Sequence, residues 1–305
     1  MKIKSLDFFK TYNNEPMVIA LGFFDSLHLG HMKLIDEVHK LSNKLNAKPA
    51  IFTFKGNPHR LVQSTRLEFF TFKERLRRYQ NLGIDYVISM KATKSSMSLV
   101  PDEFLNILIN NFNIKAIVTG DDFRYGRKAV GNTSTLNKFA LQNNIEFSKI
   151  NLFKDENKIK YSTSNIEKLL QDGKVDIVNA LISENYSISG KVVSGRQIGV
   201  NNGIPTANIN IKNKTVLIAA GVYKTYTIIG RKKYLSITNV GIHPTFNDNV
   251  FNVENHILNF NENIYGKYIR IEFIKKIRDI IKFDTVNDLY KQINKDIEQV
   301  RNSDD

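Results

Sequence analysis

An α/β half built on a doubly wound parallel sheet, followed by an antiparallel β-barrel with a terminal helix, is the fold class this sequence predicts. Three observations predict it. Strand-like and helix-like segments alternate through the first half; short strands separated only by turn residues fill the second; the last segment carries one apolar stripe at helical spacing. The 305 residues suffice for two cores, and 42% hydrophobic content excludes wholesale disorder.

The elements follow in order. Residues 17–21 form an unbroken apolar run, too short to cross a membrane, which reads as a buried strand. Directly after it Leu34, Ile35, Val38, Leu41 and Leu45 recur at helical spacing. A strand over 49–54, a helix over 72–82, a strand over 86–90 and a helix over 101–112 come next. A strand over 114–120, a helix around 136–142 and a strand over 145–152 complete the first half. From Tyr186 the texture changes, with strands expected over 187–193, 206–211, 222–229, 234–240, 253–260 and 268–273. Thr285 and Asp288 make a capping-box-like start to the last helix, whose stripe is Leu289, Ile293, Ile297 and Val300. The expected domains are 1–184 and 185–305.

The formal charge of +14 invites a nucleic-acid partner, but the lysines are scattered over every segment and form no basic stripe. The richness in Asn, Lys and Ile and the lack of Trp read as compositional bias, so no nucleic-acid partner is expected. The absence of cysteine excludes disulfides and thiol catalysis. With no transmembrane run and no signal-peptide core, a cytoplasmic protein without a membrane partner is expected; the oligomeric state stays open.

Three motifs carry chemistry. Gly22-Phe23-Phe24-Asp25-Ser26-Leu27-His28-Leu29-Gly30-His31 lies between a buried strand and a helix. That placement puts His28, His31 and the N–H groups of Gly30 and His31 at a helix N-terminus, which favours an anion such as a nucleotide polyphosphate. In a parallel sheet, ligands bind beyond the carboxyl ends of the strands, where His28, His31, Asn57 and Asp122 are expected. The second motif, Gly120-Asp121-Asp122-Phe123-Arg124-Tyr125-Gly126, leaves a strand end; the third runs from Gly190-Lys191-Val192-Val193-Ser194-Gly195 through Gly199 to Gly203-Ile204-Pro205-Thr206-Ala207-Asn208.

The first motif resembles the G-x-F-D-x-x-H-x-G-H signature of the prokaryotic bifunctional riboflavin kinase/FMN adenylyltransferases, also called FAD synthetases. The second is similar to that family's G-x-D-F-x-F-G, and P-T-A-N at 205–208 to its kinase signature. Gly221-Val222-Tyr223, the 239–246 stretch, Val253-Glu254 with Leu258, and Arg278 with Lys282-Phe283 match further family segments in the expected order. The resemblance covers nearly the whole chain. It implies an N-terminal Rossmann-like nucleotidylyltransferase domain and a C-terminal riboflavin kinase barrel, turning riboflavin into FMN and FMN into FAD. ATP would be the co-substrate and Mg²⁺ the cofactor.

The resemblance also implies roles. His28 and His31 would contact the ATP phosphates, with Gly22, Phe24, Asp25, Gly30, Asn57, Asp122, Arg124, Ser162 and Ser164 lining the adenylyltransferase site. In the kinase, Thr206 and Asn208 would hold Mg²⁺, Glu254 would be the base for the riboflavin 5′-hydroxyl, and Gly190, Gly195, Pro205 and Arg278 would bind ligand. Two places depart from the pattern. T-F-E-P-H-P becomes Thr53-Phe54-Lys55-Gly56-Asn57-Pro58-His59, and S-S-T-R-I-R becomes Ser162-Thr163-Ser164-Asn165-Ile166-Glu167. Asn165 thus stands where an arginine would contact phosphate, with Lys158, Lys160 and Lys168 as nearby substitutes. The alternative reading is a riboflavin kinase with a degenerate first domain.

Overall fold

The computed structural model describes residues 3–61, 67–152, 162–194, 204–210, 215–245 and 248–302. Gly195, Gly199, Gly203, Lys158 and Lys160 lie outside the described residues. The chain folds as two compact units, Met1–Asn165 with Lys214–Val216, and Ile166–Asn213 with Leu217–Asp305.

In the first unit the strands are β1 (Lys4–Asp7), β2 (Asn13–Leu21), β3 (Lys48–Lys55), β4 (Tyr86–Lys91), β5 (Phe112–Gly120), the short pair β6 (Arg124–Tyr125) and β7 (Gly131–Asn132), and β8 (Glu146–Ile150). The helices are α1 (Leu29–Lys44), α2 (Phe72–Asn81), α3 (Pro101–Asn111) and α4 (Thr133–Gln142). A six-stranded sheet has the order β1-β4-β3-β2-β5-β8, parallel throughout. Central β2 is buried on both faces, which is why its sequence is an apolar run without alternation. Met17, Ile19 and Leu21 face a core filled by Phe104, Leu105 and Leu108 of α3 and Leu136 and Ala140 of α4. Val18 and Ala20 face Leu34, Ile35, Val38 and Leu41 of α1 and Tyr79 of α2. Helices therefore cover both faces of a doubly wound sheet.

Helix ends are set by local chemistry. Pro101 opens α3, and Glu103 Oε2 accepts the Val100 N–H at 3.1 Å. Phe112 belongs to β5 and not to the preceding helix, because its backbone is extended and it pairs with Asn13. Helix α5 (Thr163–Gln171) begins in the first unit, and α6 (Val175–Leu181) belongs to the second.

The second unit is a closed barrel in the order β10-β13-β12-β11-β14-β9. Its strands are β9 (Ser187–Val193), β10 (Ala207–Asn210), β11 (Gly221–Ile229), β12 (Lys232–Thr245), β13 (Asp248–Ile257) and β14 (Tyr268–Arg278), all paired antiparallel. Two strands run longer than expected, because β12 pairs with β13 as far as Thr245 and β14 pairs with β11 as far as Arg278. A buried hydroxyl-amide network tightens the barrel: Thr225 meets Ser236 at 2.8 Å and Thr238 at 2.7 Å, and Asn255 Nδ2 donates to Thr238 at 2.8 Å. The last helix, α7 (Val286–Asn302), packs Val300 and Ile297 against Val222, Ile237 and Leu258. Thr285 caps it, its Oγ1 accepting the Asp288 N–H at 3.1 Å.

Candidate active sites

In the first unit a cavity of about 870 Å³ opens beyond the carboxyl ends of β2, β3, β4, β5 and β8, at the switch point where β2 is flanked by β3 and β5. Gly22, Phe24, His31, Asp122 and Arg124 line it, together with Phe54 and His59 after β3. The loop from β2 into α1 is tightly shaped. Phe24 and Leu27 carry positive φ (49° and 51°), backbone strain of the kind that collects at functional loops. His28 is the N-cap of α1; its Nδ1 accepts the His31 N–H at 3.3 Å.

The two imidazoles stack, with centroids 3.8 Å apart and planes 14° from parallel. Burial lowers the His28 pKa to about 4. His31 lies well below its ordinary value, first by burial and then by repulsion from His28. His31 Nδ1 is buried with no hydrogen-bond partner among the described residues. His31 lines the cavity, and a buried ring nitrogen without a protein partner beside it calls for an explanation such as a ligand. Gly30 is needed for this stack, since a Cβ there would stand 3.0 Å from His28 Cε1 and 3.1 Å from its Nδ1. Gly30→Ala is accordingly expected to displace the ring and to destabilise the fold by about 1–3 kcal/mol; denaturant unfolding of the variant beside wild type checks it.

Other expected residues serve this loop from behind. Asp25 is buried, accepting the Phe69 N–H at 2.8 Å and the Phe70 N–H at 3.4 Å, with Arg75 Nε at 3.9 Å. Burial pushes its carboxyl up to about 7, against the pull of Arg75 and those N–H groups. Asn57, expected at the ligand, instead closes its own loop: Nδ2 donates to Leu67 O at 2.8 Å and Oδ1 accepts the His59 N–H at 2.9 Å. With both ends of its amide committed, Asn57 is absent from the cavity lining, and His59 takes that place. Ser162 and Ser164 do not line the cavity either; Ser162 Oγ accepts the Asn165 N–H at 3.3 Å, and Ser164 is exposed. The α5 start still reaches the loop, through Thr163 Oγ1 and Ser26 Oγ at 3.0 Å.

The sequence reading missed Arg75. It is fully buried and donates to Phe23 O at 3.2 Å, Thr53 Oγ1 at 2.9 Å and Phe54 O at 2.8 Å, tying the ends of β2 and β3 together. The signal was present: Arg75 shares the 3–4 stripe of α2 with Phe72 and Tyr79. Lys94, Arg124, Arg127 and Lys128 also line the cavity, none in an ion pair among the described residues. This unpaired cationic wall favours anions.

In the second unit the barrel register builds the other site. Asn208 of β10 pairs directly with Glu254 of β13, and Glu254 pairs on its other side with Asn239 of β12. Directly paired residues share a face, so Asn208, Glu254 and Asn239 form a row. Glu254 is half-buried and makes no ion pair among the described residues. A cavity of about 440 Å³ is lined by Pro205, Thr206, Asn255 and Tyr265, among others. Ala207, Asn255 and Ile257 in its wall alternate with Asn208 and Glu254 along their strands, so the row lies on the other strand face and is not part of that lining. His256 Nδ1 lies 2.8 Å from Pro205 O; because a carbonyl only accepts, that nitrogen carries the proton.

Gly190 is buried within β9, opposite Ile269. Arg278, expected at the ligand, is instead clasped by α7. Its Nε donates to Asp296 Oδ2 at 3.0 Å, its Nη2 to the same oxygen at 2.7 Å, and its Nη1 to Asp279 O at 3.0 Å. A guanidinium held this way serves the helix packing.

A family model described as riboflavin kinase matches residues 182–303, and one described as FAD synthetase matches 10–165. A bifunctional riboflavin kinase/FMN adenylyltransferase from Buchnera aphidicola subsp. Schizaphis graminum is 35% identical over 94% of each chain. The chain belongs to the bifunctional riboflavin kinase/FMN adenylyltransferase family. The Bacillus subtilis member is 30% identical, covering 92% of this chain and 90% of its own. Among solved structures, one of a macrolide-efflux protein from Streptococcus pneumoniae matches with TM-score 0.89 and 28% identity, over 98% of this chain and 99% of that one. Among the described residues no helix is long and apolar enough to cross a membrane. Membership makes the chain a transferase that carries both activities, with ATP as co-substrate.

Proposed function

We propose that the barrel phosphorylates riboflavin through Glu254 and that the α/β unit adenylylates FMN at the His28–His31 pair. The observation that carries the kinase half is a half-buried carboxylate without a cation, held in a row with Asn208. In this reading Glu254 takes the proton of the riboflavin 5′-hydroxyl as its oxygen attacks the γ-phosphorus of ATP, and ADP leaves. Thr206 and Asn208 stand two residues apart approaching β10 and offer neutral hard oxygens on one side of the strand. They would hold Mg²⁺, which neutralises phosphate charge when bound.

In the first unit an FMN phosphate oxygen attacks the α-phosphorus of ATP and pyrophosphate leaves, so no protein nucleophile is needed. The protein aligns the anions, and the helix N-terminus and the histidines stabilise the growing charge. Lys94, Arg124, Arg127 and Lys128 supply the positive field that Asn165 does not. The functional division is placed at 184/185. The substrates are small molecules, and a reducing, cytoplasmic setting suits a chain without cysteine. A fluorescence-detected time course with riboflavin, ATP and Mg²⁺ tests the reading. FMN should rise and then give way to FAD; FMN accumulating alone would remove the adenylyltransferase half.

A further inference from the structure

The strand that carries Glu254 also holds its carboxylate in place. Asn252, two residues earlier on β13, donates from Nδ2 to Glu254 Oε1 at 2.7 Å. The direction is fixed by chemistry, since an ionised carboxylate only accepts. Residues 252, 254 and 256 alternate onto one face of the strand. Across β12 the partner of Asn252 is Gly241, beside which a side chain would meet nothing within 4 Å. No side chain from that neighbour competes for the carboxylate. On the other flank His256 is bound to Pro205 O at 2.8 Å, which fixes the start of the P-T-A-N turn to the same strand. Oε1 is thus occupied by Asn252, and Asn208 is the residue paired with Glu254 across on β10.

We propose that Asn252 is a positioning residue for the kinase reaction, fixing the Glu254 carboxylate in one rotamer and presenting its second oxygen to the riboflavin hydroxyl. The proposal rests on Glu254 being the base. A short hydrogen bond to a charged acceptor is of the stronger kind. Its loss leaves the carboxylate free to turn among rotamers of which few are productive.

The test uses the whole enzyme with Asn252→Ala and Asn252→Asp. Asp keeps the shape of Asn but cannot donate when ionised, and it sets a like charge beside Glu254. Asn252→Ala should lower kcat for FMN formation about tenfold, and Asn252→Asp by about fifty- to a hundredfold near neutral pH. KM values for riboflavin and ATP should stay within about threefold, because the interaction acts on the base and not on binding. FMN-to-FAD conversion should be unchanged. A role in shape alone would leave the Asp variant active, and wild-type kcat in Asn252→Asp overturns the proposal. Loss of riboflavin binding in that variant, read by flavin fluorescence quenching, overturns it too, by assigning Asn252 to barrel integrity. Glu254→Gln separates the two levels. If it stays active, the base assignment falls and the proposal falls with it; if it is inactive while Asn252→Asp is not, the proposal alone falls.

Discussion

Glu254→Gln is expected to lower kcat for FMN formation by about 10²- to 10⁴-fold, the range associated with removing a positioned general base. Conversion of FMN to FAD by the same variant should stay within about twofold of wild type. The substitution is clean on structural grounds. Glutamine keeps the volume, and its carbonyl oxygen can still accept from Asn252 Nδ2, now at 2.7 Å from Glu254 Oε1. Glu254 makes no ion pair among the described residues, so removing its charge strands no buried cation. The direct partners Asn208 and Asn239 are uncharged and remain in register through the backbone ladder. What is lost is basicity at one oxygen. Flavin chromatography from reactions started with riboflavin, and separately with FMN, reads the two activities apart. Equal loss of both would defeat the assignment of one reaction to each unit.

The two-unit fold was legible because burial leaves different marks on different elements. Strand β2 shows as an apolar run since both its faces are covered, and α1 shows as a stripe since only one of its faces is. Helices α5 and α6 went unassigned. Their buried residues are few (Ile166 and Leu170 in one, Val175 and Val178 in the other), and polar neighbours dilute the period. The motifs locate the cavities, since His31 and Asp122 line one and Thr206 the other; residues whose surroundings are set by distant pairing carry no such local signal. Asp296 sits between Ile293 and Ile297 in sequence and reads as solvated, yet it is buried under Arg278. Arg278 in turn reads as a flavin or phosphate contact, and its pairing with Asp296 is not visible in the local sequence. Asn57 and Asp25 look like ligands in a motif because short polar side chains cap loops and bind substrates with the same atoms. The Asn208–Glu254 pairing is a matter of strand register, which no local pattern encodes.

His31→Ala is expected to lower FAD formation about 10²- to 10³-fold, the usual loss when one donor aimed at developing charge is removed, with FMN formation within about twofold. The ring lines the cavity, and no described protein group uses its Nδ1; the substitution also removes the stack on His28, which the unchanged FMN formation separates from loss of the whole fold. The same pair sets a pH dependence. In the folded protein His28 titrates near pH 4, below its ordinary 6.5, so the unfolded chain binds more protons between those values. Stability from the neutral ring is fully present above pH 6.5 and is lost as pH falls toward 4, on the order of 3 kcal/mol for His28; His31 acts in the same sense. Asp25 acts oppositely. Its carboxyl is raised to about 7, so its share of stability is present at low pH and is lost as pH rises through 7. The wild-type slope is therefore a difference, and a variant is needed to isolate the histidines. His28→Asn serves, because asparagine is a good N-cap and preserves the start of α1. Thermal unfolding between pH 7.5 and 4.5 should show a steeper loss on acidification in wild type than in His28→Asn. Equal slopes would mean that the stacked imidazoles are not held neutral by burial, and that the cavity meets its anions with charge already in place.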